Sequence, residues 1–471
     1  MGIVGAHTAQ FPRAAALVRQ FRAAEIPVII GGSHVSGTLR SLPEPARELQ
    51  EMLDLGVSLF IGEAEGHFEE VLRDAHARRM KPIYDYGEVM VDMEQALLPT
   101  HVPLNVERRL ALGLNPVNPI EAGRGCPYKC SFCTVVNVHG REARARTPEA
   151  VACFVRASIH HGRSRFMFTD DNFARNENWK PILEALLALR EKEGLKFSFI
   201  LQVDTQSDRI PGFIELAARA GCVQIFVGME SINTDALRTV SKNQNSVKRY
   251  QRFFLAWKRH GVVIMAGYIV GFPTDTPESV RRDLATIKRE LPLDLLYLFI
   301  LTPLPGSADH TALVEQGAPL DSDPSRYTTF HTTIPHPHMS GAELEALYYE
   351  AWRIYYDDAH SATILRRHAA MGGHLDDLTP FLLVARNAFA VDNVNPAEVG
   401  ILRRQMWRER RPDLPRESLI PFLLRRGWST AMAQGRWLWD IHRVTRMVRQ
   451  VERERSRPMV DDLALQGLDA R

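Results

Sequence analysis

The chain has 471 residues, which at about 150 residues per domain allows roughly three domains. Its 45% hydrophobic and 24% charged residues match the average globular composition, so wholesale disorder, fibres and small disulfide-stapled scaffolds are excluded. The formal charge of +2 conceals an asymmetry: residues 401–457 carry fifteen Arg, no Lys and six acids, a local net of +9. Five cysteines are too few for a disulfide framework, and three of them fall within eight positions, which favours a metal site in a reducing, cytoplasmic setting. The N-terminus has no basic stretch followed by an apolar one, and no uncharged apolar run reaches the ~18 residues that span a bilayer. The chain is therefore expected to be neither secreted nor membrane-spanning.

Residues 1–75 alternate strand and helix signals. A short apolar start at Gly2–Gly5 precedes a helical pattern over Pro12–Ala24, an apolar strand over Ile26–Ile30 ending in Gly31-Gly32, and another over Leu59–Ile61 ending in Gly62-Glu63. This is the rhythm of a doubly wound α/β sheet, whose ligands sit beyond the carboxyl ends of the strands. Weak patterning over residues 81–115 reads as a linker. Strands are then expected at Pro119–Ala122, Arg165–Thr169, Lys196–Val203, Val223–Gly228, Val262–Ile269 and Leu295–Leu301, with helices between them at Pro148–His161, Trp179–Glu193, Pro211–Ala220 and Glu278–Glu290. Thr147-Pro148-Glu149 and Thr276-Pro277-Glu278 are matching helix starts, a capping hydroxyl followed by Pro and an acid. Six β/α units in series imply a full or partial parallel barrel over residues 116–310. Residues 311–471 read as helical, and four of the seven Trp (407, 428, 437 and 439) lie in the Arg-rich tail, expected to be a solvated basic helix face packed on the barrel in preference to a membrane-surface or nucleic-acid-binding element. No nucleic-acid-binding motif is present.

The strongest chemical signal is Gly123-Arg124-Gly125-Cys126-Pro127-Tyr128-Lys129-Cys130-Ser131-Phe132-Cys133, three thiols just beyond the first barrel strand. A [4Fe-4S] cube normally takes four Cys ligands, so a loop offering three leaves one iron open. The alternative is a zinc site with His139 as fourth ligand, although zinc fingers usually supply two separated ligand pairs. Cys153 and Cys222 are expected to be buried small hydrophobes. Acids, amides and Gly-rich turns gather at the later strand ends: Asp170, Asp171 and Asn172 at the second, Gln202 and Asp204 at the third, Glu230 and Ser231 at the fourth, Gly267 to Pro273 at the fifth and Thr302 at the sixth. That ordered set is what a barrel active site requires. Arg141, Arg144 and Arg146 are candidates for attracting a carboxylate or phosphate, or for a solvated basic loop.

The cysteine loop resembles the CxxxCxxC loop of the radical S-adenosylmethionine (SAM) superfamily, with an aromatic before the last Cys, and other family motifs recur in order. The resemblance implies a partial (β/α)6 TIM-like barrel. It implies that Cys126, Cys130 and Cys133 hold a [4Fe-4S] cluster whose open iron chelates SAM, and that Phe132 packs on the adenine. Asp170, Asp171 and Asn172 stand where the family places its Gly-Gly-Glu-type motif for the SAM amino group. Gln202, Glu230 and Ser231 stand at its ribose and carboxylate contacts, Ile269 and Gly271 lie in the GxIxGxP motif near adenine, and Thr302 ends the sixth strand.

Residues 1–80 resemble the second half of the cobalamin-binding domain fused to many such enzymes, including anaerobic porphyrin cyclase-like proteins and methyltransferases. Thr8, Gly31, Gly32, Gly62 and Glu63 are the implied cobalamin contacts. The DxHxxG loop that often supplies an axial His to cobalt is missing, so the resemblance implies a truncated Rossmann-like domain, and His34 is expected to be a surface residue rather than its substitute. The chain is thus read as a radical SAM enzyme that modifies an unactivated carbon, by cobalamin-dependent methylation or, without cobalamin, by oxidation, cyclisation or rearrangement. A noncatalytic zinc-binding protein is the competing class. The implied partners are an apolar or anionic small-molecule substrate and a reductant such as flavodoxin or ferredoxin, with no nucleic acid; catalytic residues remain unassigned.

Overall fold

The computed structural model describes residues 1–98, 117–135, 138–392, 407, 417–455 and 461–466. The chain forms two compact units: Met1–Val227 with Asp235–Asn245 and Leu301–His336, and Gly228–Thr234 with Ser246–Ile300 and Pro337–Arg471.

The first unit opens with four parallel strands in chain order, β1 (Gly2–Ile3), β2 (Ile29–Gly31), β3 (Ser58–Ile61) and β4 (Ile83–Asp85). The register runs Ile3 to Ile30, Ile30 to Leu59 and Leu59 to Ile83. Helices Phe11–Ala23, Ser33–Ser41 and Arg47–Asp54 supply Phe11, Val18, Val35, Leu49 and Met52 to a core completed by Ile30 and Leu59. β4 carries the sheet into the segment read as a linker; residues 99–116 of that segment lie outside the described ones.

Three strands of six-unit β/α rhythm follow in the same unit, β5 (Asn118–Ile120), β8 (Arg165–Phe168) and β9 (Ser198–Val203), and β10 (Cys222–Glu230) runs from this unit into the second. β5 pairs with β8, β8 with β9 and β9 with β10, all parallel. Pro119 is tolerated in β5, where the missing N–H removes one bond from a short terminal strand. Between β5 and β8 the cysteine loop is bracketed by an antiparallel pair, β6 (Gly123–Arg124) and β7 (Arg144–Ala145). The second unit holds the last two barrel strands, β11 (Val263–Val270) and β12 (Leu295–Ile300), paired in parallel. Six strands with helices between them form the α/β arrangement of an incomplete (β/α)8 barrel.

Both anticipated helix starts form. Thr147 Oγ1 accepts from Ala150 N–H at 3.2 Å, and Thr276 and Ser279 complete a reciprocal capping box. In the helix Pro148–His160 the buried positions are Val151, Ala152, Val155 and Ser158, which places Cys153 on the exposed face rather than in the core. Cys222 is buried, and burial pushes its thiol up to about 12. The second unit buries a charged cluster: Lys258 Nζ lies 2.6 Å from Asp294 and 3.0 Å from His368 Nδ1, and Asp294 also accepts from Ile264 N–H. Its Arg-rich region forms the 35-residue helix Leu419–Arg453.

Candidate functional site

In the first unit the cysteine loop is held from four sides. Gly125 has φ +93°, and a Cβ there would fall 2.0 Å from Glu142 O, so only glycine lets the loop close on its return limb. Its N–H donates to Asp171 Oδ2 at 2.8 Å, and the same oxygen is 2.9 Å from His139 Nδ1. One carboxylate at the end of β8 thereby ties both limbs of the loop. Tyr128 stacks under Arg175, whose guanidinium is bidentate to Asp204 at 2.7 and 2.9 Å. Lys242 lies over the Phe132 ring at 5.6 Å, Gln244 Nε2 donates to Cys130 Sγ at 3.4 Å, and Ser131 N–H donates to Val240 O. Burial raises the Cys126 thiol and pushes Cys133 to about 11.

The three acceptors that follow β8 have different surroundings. Asp170 is buried, accepts from Ala122 N–H at 2.8 Å and Asn176 Nδ2 at 3.2 Å, and is pushed by burial to about 7. Its role is to bind the end of β8 to the chain entering the cysteine loop. Asp171 faces that loop. Asn172 donates to Asp204 through Nδ2 at 2.9 Å, which leaves its buried Oδ1 without a donor among the described residues. Gln202 is half-buried in β9 and Thr302 is buried after β12.

The second unit holds the remaining barrel candidates. Glu230 ends β10 with φ +63°, a conformation disfavoured for a residue with a Cβ, and Tyr250 Oη donates to the carbonyls of Met229 and Ser231 on either side. Ile269 is buried, and Gly271 begins a turn in which Asp275 accepts from the N–H groups of Gly271 and Phe272 at 2.8 and 3.0 Å. Burial raises Asp275 to about 6 against those two donors.

The five positions nominated for cobalamin lie in the first unit and are engaged mainly by the chain itself. Gly32 has φ +135° and a Cβ there would sit 2.3 Å from Ala6 N, so the missing side chain admits the protein's own backbone. A Cβ on Gly31 would meet Phe60 and one on Gly62 would meet Tyr86 O at 2.7 Å. Glu63 is buried, bidentate with Arg144 at 2.8 Å for both bonds, 3.2 Å from Arg124 and bonded to Val91 N–H. Thr8 Oγ1 is 3.2 Å from Nδ1 of His34, which is buried between Thr8 and Glu48 and not on the surface as expected. Arg144 and Arg146 are likewise internal: Arg146 donates to Glu121 O and Ala96 O. A cavity of about 190 Å³ does open at the carboxyl ends of β1 and β2, lined by His7, Thr8, Ser33, Thr134, Tyr327 and Thr328 among others.

Arg175, Lys242, Gln244 and Tyr250 escaped the sequence reading. Only Arg175 had a local signal, a cation four residues beyond Asp171; the others reach their partners through the tertiary fold.

Residues 120–287 match the radical SAM superfamily, so the chain carries the radical SAM domain of that class of enzyme. It is 26% identical over 323 residues to the bacteriochlorophyllide d C-12(1)-methyltransferase of Chlorobaculum tepidum, covering 67% of this chain and 66% of that protein. It is 25% identical over 314 residues to the hopanoid C-2 methylase of Rhodopseudomonas palustris, covering 66% and 56%. The matched region thus spans two thirds or less of these two relatives' length. In fold it is similar to OxsB, a cobalamin-dependent SAM radical enzyme solved with aqua-cobalamin and SAM (TM-score 0.57, 12% identity, 97% of this chain and 75% of that one). It is also similar to the methyltransferase TsrM of Kitasatospora setae, solved with cobalamin and a [4Fe-4S] cluster (TM-score 0.55, 17% identity, 82% and 83%).

Proposed function

We propose that the chain is a radical SAM methyltransferase acting on an unactivated carbon of a small, largely apolar molecule. The observation that carries this reading is the cysteine loop, three thiols on eight residues, pinned through Gly125 and His139 by the Asp171 carboxylate. The donor set suits a cubane cluster with one open iron. Cys126, Cys130 and Cys133 would hold a [4Fe-4S] cluster, which with SAM and one electron from an external reductant would supply a 5'-deoxyadenosyl radical and methionine. Asn172 Oδ1, a buried acceptor in want of a donor, suits the ammonium of SAM. Phe132 offers a ring face for adenine. The buried Asp170 and Asp204 act as positioning residues for this set.

Methyl transfer and an apolar substrate are supported by the relatives named for bacteriochlorophyllide and hopanoid methylation. If cobalamin takes part, it would supply the methyl group, and the cavity beside His7, Thr8 and Ser33 offers room for part of it. We further propose a flavodoxin- or ferredoxin-type reductant, a cytoplasmic setting, and the four-part division at residues 80, 115 and 310. The self-filled surroundings of Gly31, Gly32, Gly62 and Glu63 favour a second reading, radical chemistry without cobalamin. Anaerobic reconstitution with iron, sulfide and hydroxocobalamin separates the two. About one cobalt per four iron supports methylation through cobalamin, iron alone supports the second reading, and absence of iron overturns both.

A further inference from the structure

The helix Leu419–Arg453 buries one face and leaves the opposite face open. Phe422, Trp437, Asp440, Val444 and Val451 are buried, and Asp440 is fixed within the same unit by Arg386 and by Asn387 Nδ2 at 2.9 Å. On the far side Ile420, Leu424, Trp428, Ala431, Gly435 and Leu438 recur in steps of three and four, the spacing of a single helical face. Ile420 is 70% exposed, Leu424 71%, Trp428 73% and Leu438 60%, with Trp439 beside them at 64%. Single exposed apolar side chains are ordinary, but a row about 27 Å long at 1.5 Å per residue marks a contact surface.

The charge on this helix identifies what the row meets. No acid occurs from residue 418 to 439, and the exposed face continues beyond Leu438 into Arg446, Arg449 and Arg453, all exposed. The whole helix carries seven Arg and two acids. We infer that this face docks on an anionic phospholipid bilayer. The apolar row enters the boundary between headgroups and acyl chains, Trp428 and Trp439 sit at headgroup depth, and the arginines meet lipid phosphates. Among the described residues no helix is long and apolar enough to cross a membrane, so the contact is one of lying on the surface. A second copy of this chain is a poorer occupant, because the same face on a two-fold partner would bring no acid to the arginines.

The test is flotation of the full chain with vesicles of phosphatidylcholine alone or with 30% phosphatidylglycerol, at low and high salt. The expected result is flotation with the anionic vesicles, weakened by salt, and at least tenfold weaker partitioning for Leu424→Glu/Trp428→Glu. Arg446→Gln/Arg449→Gln/Arg453→Gln should weaken it by about fivefold per charge. The substituted side chains are exposed, and an unchanged thermal unfolding profile confirms that the variants fold. No flotation, flotation indifferent to both variants, or lipid-free dimers that Leu424→Glu/Trp428→Glu dissolves would each overturn the inference, the last by assigning the face to a second copy.

Discussion

Replacing Glu63 by Ala should destabilise the protein before any cofactor is added. Its carboxylate receives two 2.8 Å bonds from Arg144, one of 2.9 Å from Val91 N–H and an ion pair of 3.2 Å from Arg124, with only 3% of the side chain exposed. Breaking one partner out of a buried charge cluster costs about 3–5 kcal/mol. The lower end applies here, because Arg124 keeps Glu65 and Glu121 and Arg144 keeps the carbonyls of Val91 and His139. At roughly 2 °C per kcal/mol for a large unit, calorimetry on cofactor-free protein should show a Tm about 6 °C lower. Burial alone would raise the Glu63 pKa, but the Arg144 and Val91 bonds and the Arg124 charge outweigh it and hold the carboxyl below its usual value. A depressed pKa contributes stability above the unfolded-state value of about 4.3, and that contribution is lost as pH falls through the folded value, so the gap between Glu63→Ala and wild type should close in acid. An unchanged Tm in the cofactor-free protein, with the loss confined to cobalamin retention, would refute this and return Glu63 to the cofactor.

Three further expectations follow from the same geometry. Lys258→Met leaves Asp294 charged and buried, so chemical denaturation should show a loss of about 3–5 kcal/mol, part of it recovered in Lys258→Met/Asp294→Asn, whose neutral amide oxygen still accepts from Ile264 N–H. Asp171→Asn weakens the tie between Gly125 and His139; iron content after reconstitution should fall several-fold while circular dichroism stays unchanged. Asp275 is raised to about 6 by burial, so the wild type should lose stability as pH rises from about 4 to 6, and Asp275→Asn, whose carbonyl still accepts both N–H groups, should lack that slope in unfolding measurements.

The strands and helices were legible because their signals are local. Apolar runs bounded by glycine and Thr-Pro-Glu helix starts placed Arg165–Phe168, Ser198–Val203 and Pro277–Glu290 within a few residues. The cysteine loop was legible for the same reason, since its spacing is contained in eight positions. What failed to show were functions assigned by distant partners. Asp171 meets Gly125 across 46 positions and Glu63 meets Arg144 across 81, and no periodicity encodes such pairs. Gly32 looked like a cofactor approach because a glycine that admits a ligand and one that admits the chain's own backbone are identical in sequence. His34 looked like a loop residue, yet Thr8 and Glu48 bury it. Cys153 looked like a core thiol because its neighbours are apolar, yet helical phase turns it outward.

The most direct measurement is anaerobic reconstitution of the chain with iron and sulfide, followed by reduction in the presence of SAM and assay of 5'-deoxyadenosine, beside a variant with Cys126, Cys130 and Cys133 all changed to Ala. The account predicts about four iron and four sulfide per chain and 5'-deoxyadenosine formed by the wild type alone. A wild type that takes up zinc in place of the cluster, or that holds iron and leaves SAM intact, would contradict it.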